Sequence, residues 1–287
     1  MFSAIIRYMI IVLLACLGLI SGSFLNAFEW RFSQMIDDEG NRKLLTKKKR
    51  REISIVYGRS ECVSCKHILS PIDLIPVLSW LFLKGKCRYC AKHISIQYPL
   101  VEILAALLFV FSYVFWPLKI NSFSSYIFFF SWLIVLAGFI VLTLFDFKKF
   151  LLPFLIVKPL LVISLLTLTV CLFFAKDPSN YFLHLISGLV LGGMLYLLYI
   201  FSDGKWLGGG DVSLGALIGL QLSSPTFIPL VLLISSIGGL LFLIILNRIK
   251  NVGFKAKIPF GPFLMFGCFI AVLFGTKIIN WYLDALH

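Results

Sequence analysis

Apolar residues along this chain neither alternate nor recur on one helical face; they run nearly unbroken for about twenty residues at a time, with short polar breaks between. A helix needs about 20 apolar residues to cross the hydrocarbon core of a bilayer. The pattern predicts spans near 4–26, 98–118, 125–145, 152–175, 181–201, 212–222, 226–247 and 261–283. The sixth covers about half a bilayer and is followed by Pro225, so it reads as a broken or re-entrant helix lining a cavity. The expected fold class is an all-α polytopic membrane protein with about eight transmembrane helices. One long polar stretch interrupts it between the first and second spans. The domain reading is a first transmembrane helix over 1–28, an insertion over 29–97, and a transmembrane domain over 98–287. A cleaved leader or lipoprotein box around Cys16 is the alternative for the first span, but the apolar run continues past it into Gly22-Ser23-Phe24-Leu25-Asn26, so a retained helix is expected.

Composition agrees with the pattern: 60% of residues are hydrophobic, mean hydropathy is +0.99, and 13 of 287 residues are acidic. The net charge of +13 would suit a nucleic-acid partner if it were spread over a soluble face. Its placement argues otherwise. If the insertion is cytoplasmic, alternation of the spans puts 21 of the 26 Lys and Arg inside. That positive-inside bias sets the N-terminus outside, predicts no nucleic-acid partner, and makes membrane lipid an additional partner, whereas the run Lys47 to Arg51 reads as a solvated, mobile loop, with a phospholipid or substrate contact as the alternative.

The insertion carries Cys62-Val-Ser-Cys65 and Cys87-Arg-Tyr-Cys90, two CxxC pairs. Each pair presents two thiolates on one tight turn, and two pairs complete a tetrahedral shell of four cysteines. A structural zinc ion (Zn2+) is expected there, because disulfides seldom persist in a reducing cytoplasm and so short a segment cannot bury a large core alone. Cys16, Cys171 and Cys268 fall in apolar spans and read as packing residues, and His67 and His93 as neighbours of the knuckles.

Ionisable groups in or beside spans are functional candidates by default. Asp146 ends an out-to-in helix and Asp211 starts an in-to-out helix, so both are expected at the cytoplasmic edge at similar depth. Two carboxylates at a water-limited boundary can share one proton, one activating water while the other acts as acid, which is the chemistry of an aspartic protease. Gly208, Gly209 and Gly210 precede Asp211 and are expected to allow a close approach of substrate backbone and positive φ angles. Glu102, one turn into the second span, is an accessory candidate. The glycine pairs 192–193 and 238–239 read as helix packing, and Trp80, Trp116, Trp206 and Trp281 as interfacial anchors.

Taken together these residues resemble the bacterial type IV prepilin peptidases, the prepilin leader peptidase/N-methyltransferases. The resemblance runs from Gly22-Ser23-Phe24-Leu25-Asn26 through both knuckles, Asp73-Leu74-Ile75-Pro76, Gly85-Lys86-Cys87-Arg88 and Tyr98-Pro99-Leu100-Val101-Glu102. It continues through Asp146 with Leu151-Leu152-Pro153 and the Gly208 to Asp211 stretch to Pro259-Phe260-Gly261-Pro262-Phe263. It implies a GxGD-type aspartic peptidase of the bacterial inner membrane, with catalytic Asp146 and Asp211, that cuts the short basic leader of prepilin and pseudopilin precursors. It also implies that the cysteine-bearing insertion is associated with N-methylation of the new N-terminus, with S-adenosylmethionine as methyl donor. Phe154 stands where members commonly carry an acidic residue and Ser213 where they carry lysine. The competing readings are a proton- or cation-coupled transporter with a zinc docking module and a non-enzymatic assembly factor. The sequence carries no signal for oligomeric state or for the class of pilin-like substrate.

Overall fold

The computed structural model describes residues 2–37, 43, 53–54, 58–118, 120–175, 178–250 and 258–285. Their regular elements are helical, with two isolated β-bridges and no strand. The chain divides into two compact units, Met1–Val114 and Phe115–His287.

In the N-terminal unit, helix α1 (Phe2–Met35) packs along α3 (Gln97–Val114). At 1.5 Å per residue α1 is about 50 Å long, well beyond a hydrocarbon core of about 30 Å. It therefore continues about three turns past the predicted end of the first span, because Ala27 to Met35 keep good helix formers and meet no Gly or Pro to stop them. The α1–α3 seam is closed by glycine. A Cβ on Gly18 would fall 2.5 Å from Ala106 Cα, and one on Gly22 would fall 2.6 Å from Glu102 Cα. Such approach is what membrane helices use where burial of apolar surface gives no driving force. Asn26 locks the end of the seam, donating to the Gly22 carbonyl at 3.2 Å and the Tyr98 carbonyl at 3.1 Å, and accepting from Gln97 Nε2 at 3.3 Å.

The insertion between these helices repeats one turn twice. Cys62 N–H donates to His67 O and Lys66 N–H to Cys62 O; 25 residues on, Cys87 N–H donates to Lys92 O and Ala91 N–H to Cys87 O. Bridges Glu61↔Ile68 and Lys86↔His93 close the two turns, and Lys66 and Ala91 take positive φ at the same place in each. A strap joins the turns: a 3-10 turn Pro71–Leu74, then Val77, then the short helix α2 (Leu78–Phe82). Val77 sits at φ 60, ψ −50, and the Leu78 N–H donates back to the Pro76 carbonyl. This is a γ-turn of the strained kind, centred on a β-branched side chain, a conformation that costs about 1–3 kcal/mol.

The C-terminal unit contains α4 (Phe123–Lys149), α5 (Phe154–Phe174), α6 (Ser179–Phe201), α7 (Gly209–Gln221), α8 (Ile228–Lys250) and α9 (Gly261–Asp284). With α1 and α3, five of these are long and apolar enough to cross a membrane, seven helices in all among the described residues. The expected sixth span is α7, whose 13 residues reach about 20 Å and fall short of a crossing. It lies in the middle of the unit, with Leu214, Leu217 and Ile218 fully buried, and packs most extensively on α6. The contact runs over small residues: a Cβ on Gly192 would meet Ala216 Cβ at 2.8 Å, and one on Gly219 would run into the Ser187 carbonyl and the Gly188 Cα. Gly193, read from sequence together with Gly192 as a helix-packing pair, faces open space. Gly219→Ala drives a methyl into backbone that cannot move aside. It is expected to destabilise the unit by about 1–3 kcal/mol, measured as a lower melting temperature in detergent.

A helix that stops short inside an apolar layer leaves carbonyls that need partners. The Leu220 carbonyl accepts from the His184 ring at 3.1 Å, with Nδ1 the donor, and the Gln221 side chain donates to Ser164 Oγ at 3.0 Å. These buried polar groups hold the inner end of α7. Its other end carries Asp211.

Candidate active site and metal centre

Asp146 lies in the last turn of α4 and Asp211 in the first turn of α7, so two helix ends bring the carboxylates together. Asp146 is 6% exposed and its Oδ2 accepts the Gly261 N–H at 3.1 Å. Gly261 opens α9, where the first N–H groups have no helical partner and the helix dipole favours an anion, so a donor stands free for this carboxylate. Asp211 is half-buried; its Oδ2 reaches back to the Gly208 N–H at 3.2 Å, at the residue preceding α7. The two carboxylates are close enough to interact electrostatically.

Leu152 joins the two turns. A Cβ on Gly210 would fall 2.9 Å from Leu152 Cβ, and one on Gly261 would fall 3.3 Å from its methyls and 2.6 Å from Asp146 Oδ2. Of the three glycines expected to matter before Asp211, Gly208 and Gly209 are exposed and Gly209 has nothing within 4 Å of a Cβ. None of the three has a positive φ, contrary to expectation; Gly208 has φ −77. Helix α7 begins at Gly209, so ordinary helical dihedrals suffice, and what Gly210 contributes is the missing Cβ against Leu152. Leu152 and Gly261 carry part of the family resemblance in the sequence, but no contact with the carboxylates is assigned to them there. A signal exists in Pro259-Phe260-Gly261-Pro262, where a glycine before proline opens a helix, but nothing in a sequence tells which carboxylate that N–H meets.

In the insertion the sulfurs of Cys62, Cys65, Cys87 and Cys90 all lie within 4.8 Å of one another, with Cys62 and Cys90 3.9 Å apart. Thiolates placed tetrahedrally at about 2.3 Å from zinc stand about 3.8 Å from each other, so the four could hold such an ion. Burial pushes the Cys62 thiol up, but the N–H groups of Cys65 and Ser64, together with the Cys65 and Cys87 side chains, outweigh it and bring the thiol down to about 7. The Lys92 N–H pulls Cys90 down, and burial with the three neighbouring sulfurs takes it to about 11. Sulfurs gathered this closely oppose one another's ionisation, and a cation among them would remove that opposition.

Asp73 holds the strap to the second knuckle. Its side chain is 3% exposed, takes the Arg88 Nε–H at 2.7 Å and the Tyr89 hydroxyl at 3.2 Å, and also accepts from the Ser70 hydroxyl at 2.8 Å. Burial raises its carboxyl, yet the Ser70 donors and Arg88 outweigh burial and hold it below the usual carboxylate range. Neither His67, which stacks on Tyr89, nor His93 belongs to the sulfur cluster. Cys171 and Cys268 are buried, whereas Cys16 is exposed on α1.

Two of the four expected anchors are packed instead. Trp80 donates Nε1–H to the Ile94 carbonyl and covers Gly85, and the Trp116 ring packs against Phe128, Phe129 and Trp132. Trp206 and Trp281 are exposed, as an anchor requires. The Lys47 to Arg51 run lies outside the described residues.

Known proteins match the chain in two stretches. Residues 16–116 match the bacterial peptidase A24 N-terminal domain, and residues 127–244 match the type IV leader peptidase family. A prepilin leader peptidase/N-methyltransferase of Pseudomonas aeruginosa is 32% identical over 274 residues, covering 93% of this chain and 91% of its own. One from Aeromonas salmonicida is 32% identical over 278 residues, covering 94% and 92%. The type 4 prepilin-like proteins leader peptide-processing enzyme of Escherichia coli is 32% identical over 260 residues, covering 87% and 88%. No solved structure matches the chain. With both of its halves matched and relatives this similar over nearly their whole length, the chain belongs to the bacterial type IV leader peptidase family.

Proposed function

We propose that the chain cleaves the short basic leader of type IV pilin-like precursors at the cytoplasmic face of the bacterial inner membrane and N-methylates the residue exposed by the cut. The observation that carries the peptidase half is the meeting of Asp146 and Asp211 at the ends of two helices, beside an exposed glycine turn. The pair acts as one unit. A water held between the carboxylates loses a proton to the ionised one as its oxygen attacks the scissile carbonyl carbon. The protonated partner then passes its proton to the leaving nitrogen as the C–N bond breaks. Carboxylates at helix ends do not support the transporter reading, which places them near the bilayer midplane.

Four sulfurs in the insertion would hold a structural zinc ion, which supplies folding free energy there and takes no part in cleavage. The described residues contain no parallel strand followed by a glycine-rich loop, so no nucleotide-type cradle among them marks where S-adenosylmethionine would bind. The relatives' names carry N-methylation for the whole protein; its assignment to the N-terminal unit rests on the resemblance of the cysteine-bearing insertion. Orientation, with the N-terminus outside and the insertion inside, rests on the distribution of Lys and Arg.

The test is incubation of the full chain in liposomes with S-adenosylmethionine and a precursor bearing a basic leader, followed by mass measurement of the product N-terminus. Release of the leader and gain of one methyl group on the new N-terminus are expected; an uncut precursor would overturn the reading. The Gly261 contact predicts a variant that separates activity from folding. In Gly261→Ala the new methyl collides with Asp146 Oδ2, the mobile end of a side chain, so the protein yields by displacing that carboxylate. Cleavage is expected to fall at least about tenfold with little change in melting temperature, because misplacing a reacting group is far more costly to rate than to stability.

A further inference from the structure

Glu102 is 6% exposed and belongs to the N-terminal unit, whereas the aspartate pair to which cleavage is assigned belongs to the other. It lies on α3 where Gly22 presses α1 against its own Cα, so the carboxylate is built into the helix seam. Such a group is tolerated in a membrane helix pair only when its oxygens find donors. One donor is close by, the Ser23 hydroxyl. The other comes from the insertion: Oε2 accepts the Val77 N–H at 2.6 Å.

Val77 is the residue at the centre of the strained γ-turn. A β-branched residue stays in that region of φ and ψ only where its surroundings over-determine it. Here the restraints are visible. Before the turn, Asp73 ties the strap to Arg88 and Tyr89; after it, Trp80 ties the strap to Ile94 and Gly85. Both attachments reach the knuckle that carries Cys87 and Cys90. The strap is thus pinned to that knuckle on either side of Val77, and to the membrane helix at Val77 itself.

The geometry points to Glu102 as a positioning residue for the metal-bearing insertion: by holding Val77 in its strained turn, it sets where the second knuckle sits against α1 and α3. Methylation then depends on Glu102 while leader cleavage does not. The activity part of this inference rests on the assignment of methylation to the N-terminal unit.

Three substitutions in the full chain, reconstituted in liposomes, separate the possibilities. Glu102→Leu removes the acceptor, Glu102→Gln keeps an amide oxygen in its place, and Val77→Gly removes the steric penalty of a positive φ. In Glu102→Leu, hydrogen exchange of the Val77 amide is expected to accelerate at least about tenfold, and methylation of a pre-cleaved substrate to fall at least about tenfold. Cleavage of the intact precursor should stay within about twofold of wild type, because the two reactions occupy different units. Glu102→Gln should remain within about threefold of wild type in both exchange and methylation, since a hydrogen-bond acceptor persists. Adding Val77→Gly to Glu102→Leu should restore methylation to at least about a third of wild type, because glycine keeps the turn without the anchor.

Unchanged exchange at Val77 in Glu102→Leu would overturn the inference, as would equal loss of cleavage and methylation, equal damage from Leu and Gln, or failure of Val77→Gly to rescue. If the wild-type chain cleaves but never methylates, the methylation half of the proposed function falls, and the exchange measurement alone then decides whether Glu102 holds the turn.

Discussion

Replacing either Asp146 or Asp211 by asparagine is expected to lower leader cleavage at least about a thousandfold, and replacing both should cost little more than replacing one. General acid–base catalysis by a positioned group contributes about 10²–10⁴ in rate, and groups that act as a unit lose nearly all of that when either is removed. Asparagine is close in size to aspartate and keeps an oxygen that can accept the Gly261 N–H at one site or the Gly208 N–H at the other, so local structure should survive. What it cannot do is take up and release a proton. The measurement is single-turnover cleavage of a precursor in liposomes, with melting temperatures matched among wild type and variants. Activity retained in either single variant would remove that carboxylate from the mechanism, and activity retained in both would remove the pair. A large loss in only one would leave a single essential carboxylate and call for a different proton acceptor near Leu152, where the two turns meet.

Much of this is legible in the sequence, for physical reasons that can be named residue by residue. Apolar runs of membrane length leave few alternatives to helices, since every backbone group must be satisfied within the segment. The cysteine spacing specifies a local turn, and the two knuckles are that same turn built twice. Alternation of spans then places Asp146 and Asp211 on one face without any knowledge of packing.

Other features depend on contacts that no local pattern encodes. Gly261 is 115 residues from the carboxylate it binds, and Val77 is 25 residues from Glu102. The glycines before Asp211 announce a special backbone, but sequence does not say whether the need is for positive φ or for a missing Cβ; at Gly210 it is the latter. Likewise the belt reading of Trp80 and Trp116 follows from position along the chain, whereas their rings are held by Gly85 and by Phe129. Helix α1 outruns its predicted end because apolar character fades near Asn26 while helix propensity does not.

Loss of the proposed zinc ion should separate the two halves of the protein. Among its described residues the insertion has little core of its own: on the strap between the knuckles Ile72, Leu74, Ile75, Leu78, Leu81 and Phe82 are all exposed, and order depends on the sulfur cluster with the bonds of Asp73, Val77 and Trp80. Structural zinc supplies about 10–16 kcal/mol of binding free energy in small zinc-folded peptides, far more than those few hydrogen bonds can. Substituting Cys87 and Cys90 together by serine is therefore expected to lower bound zinc from about one per chain to about none, and to expose the strap to protease. It should reduce methylation at least about a hundredfold, because an unfolded insertion cannot position a substrate. Cleavage should fall far less, because α4, α7 and α9 supply Asp146, Asp211 and Gly261 from within the other unit. Metal analysis, limited proteolysis and the two activities measured on one preparation check this. Full zinc content in the double serine variant would show that these thiols are not the ligands. Cleavage lost in step with methylation would show that the active site needs the folded insertion, which would move part of the leader-binding surface onto the knuckles.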